Sequence, residues 1–178
     1  MTFLNGSDEL EQFSKANLQH NLLFAAELLR LLAEFRNSGI PVAAFKGVVL
    51  AESLYGDLSL REFCDLDLIV HAEDMFKAED VIAACGYRAR FPDRDFRSAF
   101  LSYQGQYLFC HHRSGVYVDL HWRLASRGVA FPLDMAEVWP RLGQVTIANR
   151  SVPTFGRGDA RLRLRKRSNR DGLPMPPV

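Results

Sequence analysis

The chain has 178 residues, of which 48% are hydrophobic and 24% charged, and a formal net charge of +1. This is enough apolar material for one well-cored domain, and the near-neutral balance excludes a partner selected by the field of the whole molecule. The cysteines Cys64, Cys85 and Cys110 form no close pair and no metal-ligand spacing, and their odd number fits reduced thiols in a cytoplasmic protein. The opening MTFLNGSDELEQ lacks the regions of a signal peptide, and no apolar run is long enough to cross a membrane.

Residues 8 to 37 read as one long amphipathic helix. Asp8 and Glu11 have capping-box spacing. Leu18, Leu22, Ala25, Leu29 and Leu32 recur at helical intervals, widened by Phe24, Leu28, Leu31 and Phe35. Asn37-Ser38-Gly39 with Pro41 is the stop. So wide an apolar face is read first as core packing and second as a homodimer surface.

Val42 to Phe45 is a short buried strand, Gly47 follows, and VVLAESLY is a helix ended by Tyr55-Gly56-Asp57. A strand, a glycine and a helix start form an arrangement suited to anions, because free amides and the helix dipole meet there. Taken locally, Gly47 either contacts phosphate or only makes the turn. A loop with Arg61 leads to Cys64–Val70, a strand with strict alternation. Leu66, Leu68 and Val70 take one face; Asp65, Asp67 and Ile69 take the other. Two neighbouring aspartates repel, and a divalent cation relieves that repulsion. Carboxylates at this spacing also suit two metals roughly 3.5–4 Å apart, as in phosphoryl transfer. The plainer alternative is a solvated strand face, or salt bridges to Lys46 and Arg61.

His71 to Cys85 reads as a helix with Met75, Phe76, Val81 and Ile82 apolar and Gly86 at its end, followed by a short strand from Tyr87 to Phe91. Residues 92–103 carry no clear pattern. Gln104–His111 and Val116–Leu124 are two strands joined at 112–115. Val116, Val118, Leu120, Trp122 and Leu124 form one face of the second; Tyr117, Asp119, His121 and Arg123 form the other. Aspartate is disfavoured in mid-strand, so Asp119 calls for a reason, which a third metal ligand or a base would supply. His111, His112 and His121 match no zinc spacing; His121, sharing a face with Asp119, is assigned a substrate contact. Pro132–Leu142 is a short helix with Trp139, and Gln144–Ala148 with Val152–Phe155 forms a final hairpin about residues 149–151.

Composition changes after Phe155. Residues 156–178 hold Arg157, Arg161, Arg163, Arg165, Lys166, Arg167 and Arg170 and end in prolines, so the domain is placed at 1–155 and a basic, disordered tail at 156–178. Such a tail binds nucleic acid only weakly through phosphates, as no aromatic follows Phe155 to stack on bases.

The runs K-G-x-x-L-A-x-x-x-Y-G-D (from Lys46), R-x-x-x-D-L-D-L-I-V (from Arg61) and V-D-L-H-W (from Val118) resemble the uncharacterised nucleotidyltransferase family of the DNA polymerase β-like superfamily. The resemblance covers about residues 20 to 155. It implies an α/β fold: a mixed, partly antiparallel sheet flanked by helices, with the metal site along one sheet edge. It implies that Asp65, Asp67 and Asp119 hold Mg2+ (or Mn2+) and that Gly47 contacts a nucleoside triphosphate such as ATP. Lys46 and Arg61 are further phosphate contacts. The reaction implied is transfer of a nucleoside monophosphate to an unknown hydroxyl acceptor. The alternatives are a nucleotide-binding regulator without turnover and a structural, partner-binding module. Two departures stand out: Val48 follows Gly47 where the superfamily has serine or glycine, and the basic tail replaces an apolar helical region, as in a truncated or altered C-terminus.

Overall fold

The computed structural model describes residues 6–90, 104–124 and 135–156. The fold is built around β2 (Asp65–Val70), an interior strand of the main sheet. Leu66, Leu68 and Val70 enter the main core, while Ile69 enters a smaller apolar cluster with Ala43, Phe45, Val138 and Phe155. Both faces of this strand are therefore covered, as expected of an interior strand.

Five strands form the sheet in the order β1-β2-β5-β4-β3. They are β1 (Val42–Ala44), β2, β3 (Tyr87–Ala89), β4 (Gln106–His111) and β5 (Tyr117–His121). β2 runs parallel to β5; the other neighbours are antiparallel. The sheet is thus mixed, as expected. The two aspartate-bearing strands are interior neighbours, however, which corrects the expectation of a site along a sheet edge. The edges are the short β1 and β3.

The main core lies between the sheet and three helices, α1 (Gly6–Asn37), α2 (Gly47–Tyr55) and α3 (Met75–Ala84). α2 ends where Gly56 takes a left-handed φ of 62°, its amide bonding the Glu52 carbonyl at 2.9 Å. A 3-10 turn at Ala72–Asp74 precedes α3, so the α-helix starts later than His71. Met75, Ala78 and Ile82 set its buried face, and Phe76, about 100° around the helix from Met75, is 54% exposed instead of packed. A short α4 (Met135–Val138) and a hairpin of β6 (Gly143–Ile147) and β7 (Arg150–Thr154) complete the fold. The hairpin turns at Ala148 and Asn149, both at positive φ, one or two residues earlier than read from the sequence; two such residues match the right-handed twist of the strands. It packs on α2 and β1. Among the described residues no helix is long and apolar enough to cross a membrane. The patternless 92–103 stretch, residues 132–134 and the tail from 157 lie outside the described residues.

α1 is the long helix expected, but it begins at Gly6, so Asp8 is inside its first turn and Glu11 pairs with Lys15 at 2.7 Å. Phe24, Ala25, Leu28, Leu31, Leu32 and Phe35 are buried as read. Leu18 and Leu22 are not; they are exposed, and Asn17 and Asn21 take the inward positions. The reason is the surface this half of the helix meets. It packs on the chain between α2 and β2, where a 3-10 turn (Leu58–Leu60) offers backbone carbonyls that need donors. Asn17 Nδ2 donates to Ser59 O at 2.6 Å, and Asn21 Nδ2 donates to Leu58 O and, at 2.8 Å, to Arg61 O. His20 Nε2 lies 3.0 Å from Phe63 O.

Asn21→Ala should therefore cost about 2 kcal/mol of stability, since buried carbonyls lose their donor. Leu22→Ala should stay within about 0.5 kcal/mol. Urea denaturation of both variants checks this; a loss in Leu22→Ala of the 2–5 kcal/mol typical of core leucines would reverse the assignment of faces.

Candidate active site

The parallel register of β2 and β5 sets Asp67 directly opposite Asp119. Facing residues of neighbouring strands project to the same side, so two carboxylates stand side by side. Both are buried, Asp67 at 5% and Asp119 at 9% exposure. Two unit charges about 5 Å apart repel by roughly 3 kcal/mol at an effective dielectric of about 20, and burial adds a desolvation cost. The fold must supply opposite charge.

It supplies two groups. The Lys46 ammonium is ion-paired with Asp67 Oδ1. His121, two residues beyond Asp119 on the same face of β5, places Nε2 3.1 Å from Asp67 Oδ1 and 3.3 Å from Asp119 Oδ2. Its ring is 2% exposed and packs edge-on to Phe45, centroids 4.8 Å apart; Phe45 in turn packs on Phe155 at 5.2 Å. Burial pushes the Asp67 carboxyl up, but the His121 hydrogen bond and the Lys46 charge outweigh it and hold the group below the usual carboxylate range. Burial likewise pushes His121 down, but its bonds to Asp119 and Asp67 prevail and raise it. Asp119 Oδ1 is buried and has no hydrogen-bond partner among the described residues.

Lys46 and Gly47 form the turn between β1 and α2. The Phe45 amide donates to Asp67 O at 3.0 Å, locking this turn to β2. Lys46 has φ 68° and ψ −157°, a region occupied almost only by glycine and costing a side-chain-bearing residue about 1–3 kcal/mol. Gly47 has φ 39°, and a Cβ there would lie 3.3 Å from the Asp65 carbonyl. α2 starts with no side-chain cap and no acidic residue in its first turn. Val48 and Val49, each 1% exposed, anchor that turn in the core.

Of the residues singled out in the sequence, Lys46, Gly47, Asp67, Asp119 and His121 converge here. Two of the three expected carboxylates, Asp67 and Asp119, are brought together with His121. Ligand atoms of Asp67, Asp119 and His121 lie within 4.8 Å of one another, and Asp65 is outside this group. Asp65 opens β2, half-buried and opposite Tyr117, about 6.6 Å up the strand from Asp67. Arg61 follows the 3-10 turn; Asn21 holds its carbonyl, and the buried Arg61 Nη1 has no hydrogen-bond partner among the described residues. Among the described residues the ion pairs to Asp67 come from Lys46 and His121, not Arg61. An open cleft of ≈ 550 Å³ lined by Asn17, His20, Phe63 and Cys64 adjoins the start of β2. His111 ends β4 and His112 starts the turn after it: His111 Nδ1 accepts from the Ser114 amide at 3.1 Å, and His112 Nδ1 donates to Gly86 O at 2.6 Å. The sequence did not single out His121 as a partner of both carboxylates or Phe45 as its shelf, although the D-x-H spacing on an alternating strand carried the first signal.

Three solved structures share the fold. The lincosamide antibiotic adenylyltransferase LnuA with lincomycin bound is 17% identical, with a TM-score of 0.55 over 79% of this chain and 84% of that one. ANT(2″)-Ia in complex with adenylyl-2″-tobramycin is 17% identical, with a TM-score of 0.52 over 75% and 70%. The solution structure of ANT(2″)-Ia gives 16% and 0.53, over 76% and 66%. No curated protein sequence matches this chain. Residues 5–164 match the family described as uncharacterised nucleotidyltransferase, and the chain belongs to that family.

Proposed function

We propose that this protein transfers a nucleoside monophosphate from a nucleoside triphosphate to a hydroxyl group, using a divalent cation of the Mg2+ or Mn2+ type. The observation that carries this is the buried pair Asp67 and Asp119, abreast on neighbouring strands beside the Lys46-Gly47 start of α2. Family membership and the fold shared with two antibiotic nucleotidyltransferases support it. Carboxylate oxygens are the donors that hard cations take, and Asp119 Oδ1, buried and without a hydrogen-bond partner among the described residues, is available to one. The residues fit such an ion.

Asp67 and Asp119 would hold the cation, and His121 keeps their oxygens at a fixed separation. A divalent ion there would supply charge for the triphosphate oxygens and acidify the acceptor hydroxyl. The first-turn amides of α2, beginning at Gly47, would cradle phosphate, because helix starts leave donors unsatisfied and positive. Without a Cβ, Gly47 lets a phosphate approach its backbone. Lys46 would turn from Asp67 to the triphosphate once another cation neutralises Asp67. Arg61, with one buried nitrogen unpartnered, is a second phosphate contact. Asp65, at the mouth of the pair, would accept the acceptor's proton or bind a second ion. The adenylyltransferase names of the neighbours make ATP the first triphosphate to try and small molecules bearing hydroxyls the first acceptors.

Thermal unfolding with ATP, GTP, CTP and UTP, each with and without Mg2+ or Mn2+, tests the reading. A nucleotide at about 100 times its dissociation constant should add roughly 2.7 kcal/mol, and Asp67→Asn should abolish the shift. Pyrophosphate release on acceptor addition would show turnover. Shifts without pyrophosphate for any acceptor would favour a regulator, and no metal-dependent shift in folded protein would sink the assignment.

Lys46 permits a separate check of backbone strain. Lys46→Gly and Lys46→Ala lose the same ammonium, yet only alanine keeps a Cβ at φ 68°. The glycine variant should be the more stable by about 1 kcal/mol in chemical denaturation, while both should bind triphosphate equally poorly. Equal stability would mean that the turn stores no strain.

A further inference from the structure

Resting on the proposed transfer reading, we infer that the acceptor is a small hydroxyl compound bearing an anionic group, and that Arg88 and Arg90 hold that anion on the same face of the sheet as the carboxylates. Residues opposite one another on paired strands share a face. The pairing therefore lays two rows across the sheet. One runs Asp65, Tyr117, Cys110, Arg88. The other runs Asp67, Asp119, Leu108 and then Arg90, whose amide donates to Leu108 O at 3.0 Å. A side-chain contact agrees with this placement: Arg90 Cζ lies 5.8 Å from the centre of the Tyr117 ring.

The two sides of the carboxylate pair differ. Toward β1, Ile69 is closed over by Phe45, Val138 and Phe155. Toward β3, Leu108, Cys110 and Tyr117 are half-buried, and Arg88 and Arg90 are exposed. Among the described residues neither arginine is in an ion pair. They alternate on one edge strand about 6.6 Å apart, so both guanidinium groups can meet one phosphate or carboxylate, the groups whose geometry they match. The pair thus has a cationic flank on each side. Lys46 and the start of α2 lie on the β1 side and are assigned to the triphosphate, which leaves the second flank for the acceptor. The backbone of Arg90 is two strands from Asp119, about 10 Å. That is room for a small molecule with its hydroxyl at the pair, its middle on Leu108 and Tyr117, and its anion at the arginines. An amine-bearing acceptor would instead meet two like charges. In the transfer, the acceptor oxygen bonds to the α-phosphorus, the bond from that phosphorus to the bridging oxygen breaks, and pyrophosphate leaves. The hydroxyl proton passes to a carboxylate of the site and then to water.

The test uses the full chain and three probes on one scaffold: glucose 6-phosphate, glucose and glucosamine. Each is titrated by calorimetry into protein saturated with Mg2+ and a non-hydrolysable analogue of the triphosphate that shifts its unfolding, so that the triphosphate flank is already filled. Glucose 6-phosphate should bind at least about tenfold more tightly than either of the others. The double variant Arg88→Gln/Arg90→Gln should lose that preference while keeping the metal-dependent nucleotide shift. Both side chains are exposed, and an unchanged unfolding midpoint without ligand would show that the variant is folded. Equal binding of the three probes, a preference for glucosamine, or a phosphate preference that survives in the double variant would overturn the proposal and leave nucleotidyl transfer standing. Loss of the nucleotide shift in the folded double variant would give the arginines to the triphosphate and overturn it equally. Absence of any metal-dependent nucleotide shift in the wild type would overturn both readings.

Discussion

The cost of placing two carboxylates side by side inside a sheet governs this structure. Parallel pairing of β2 and β5 fixes Asp67 opposite Asp119, and their burial turns repulsion into a structural demand. The demand is met from two directions: Lys46 arrives from the β1–α2 turn, and His121 from further along β5. The backbone that carries each is held in place. Lys46 is held because the Phe45 amide bonds the Asp67 carbonyl, and His121 because Phe45 and the strand confine its ring. Phe45 thus serves both charges: the residue preceding the lysine is the surface on which the histidine rests.

The same demand explains why an unfavourable backbone is tolerated at Lys46. The left-handed Lys46-Gly47 turn is over-determined by its surroundings, with β1 paired to β2 on one side and Val48 and Val49 sunk in the core on the other. Strain of this kind persists where packing elsewhere offsets it, and it concentrates at functional sites. In this protein it aims one side chain at Asp67 while turning the start of α2 toward the same space. Relaxing the turn would stabilise the backbone and misdirect both.

Much of this was legible in the sequence because the signals were local. Strict alternation in CDLDLIV and VYVDLHWRL separated core from site residues, and each aspartate does lie on the face opposite the strand's core leucines. Pairing register was not legible, since it depends on residues some fifty positions apart. Asp65 and Asp67 are equivalent in pattern, and only the register shows Asp65 opposite Tyr117 while Asp67 faces Asp119. Long-range contact also misled the reading of α1. Leu18 and Leu22 continue a helical stripe, but that end of the helix lies against loop carbonyls, where a buried amide is worth more than a buried leucine. The polar residues on that stripe, Asn17 and Asn21 at i and i+4, were the signal.

Asn21 also links the fold to the proposed chemistry. Its side chain fastens the Leu58 and Arg61 carbonyls, and so sets the path by which the chain enters β2 and presents Asp65. The charges two residues further along that strand are internally balanced: Lys46 and His121 satisfy most of what Asp67 and Asp119 require. A divalent cation entering the pair must compete with the Lys46 ammonium for Asp67, which weakens binding of the ion alone. A triphosphate reverses the balance, because it offers the displaced ammonium a new anion at the start of α2. Under the proposed function, ion and nucleotide therefore bind cooperatively through the displacement of one lysine. The strained turn that holds Lys46 is what keeps its two anionic partners within reach of a single side chain.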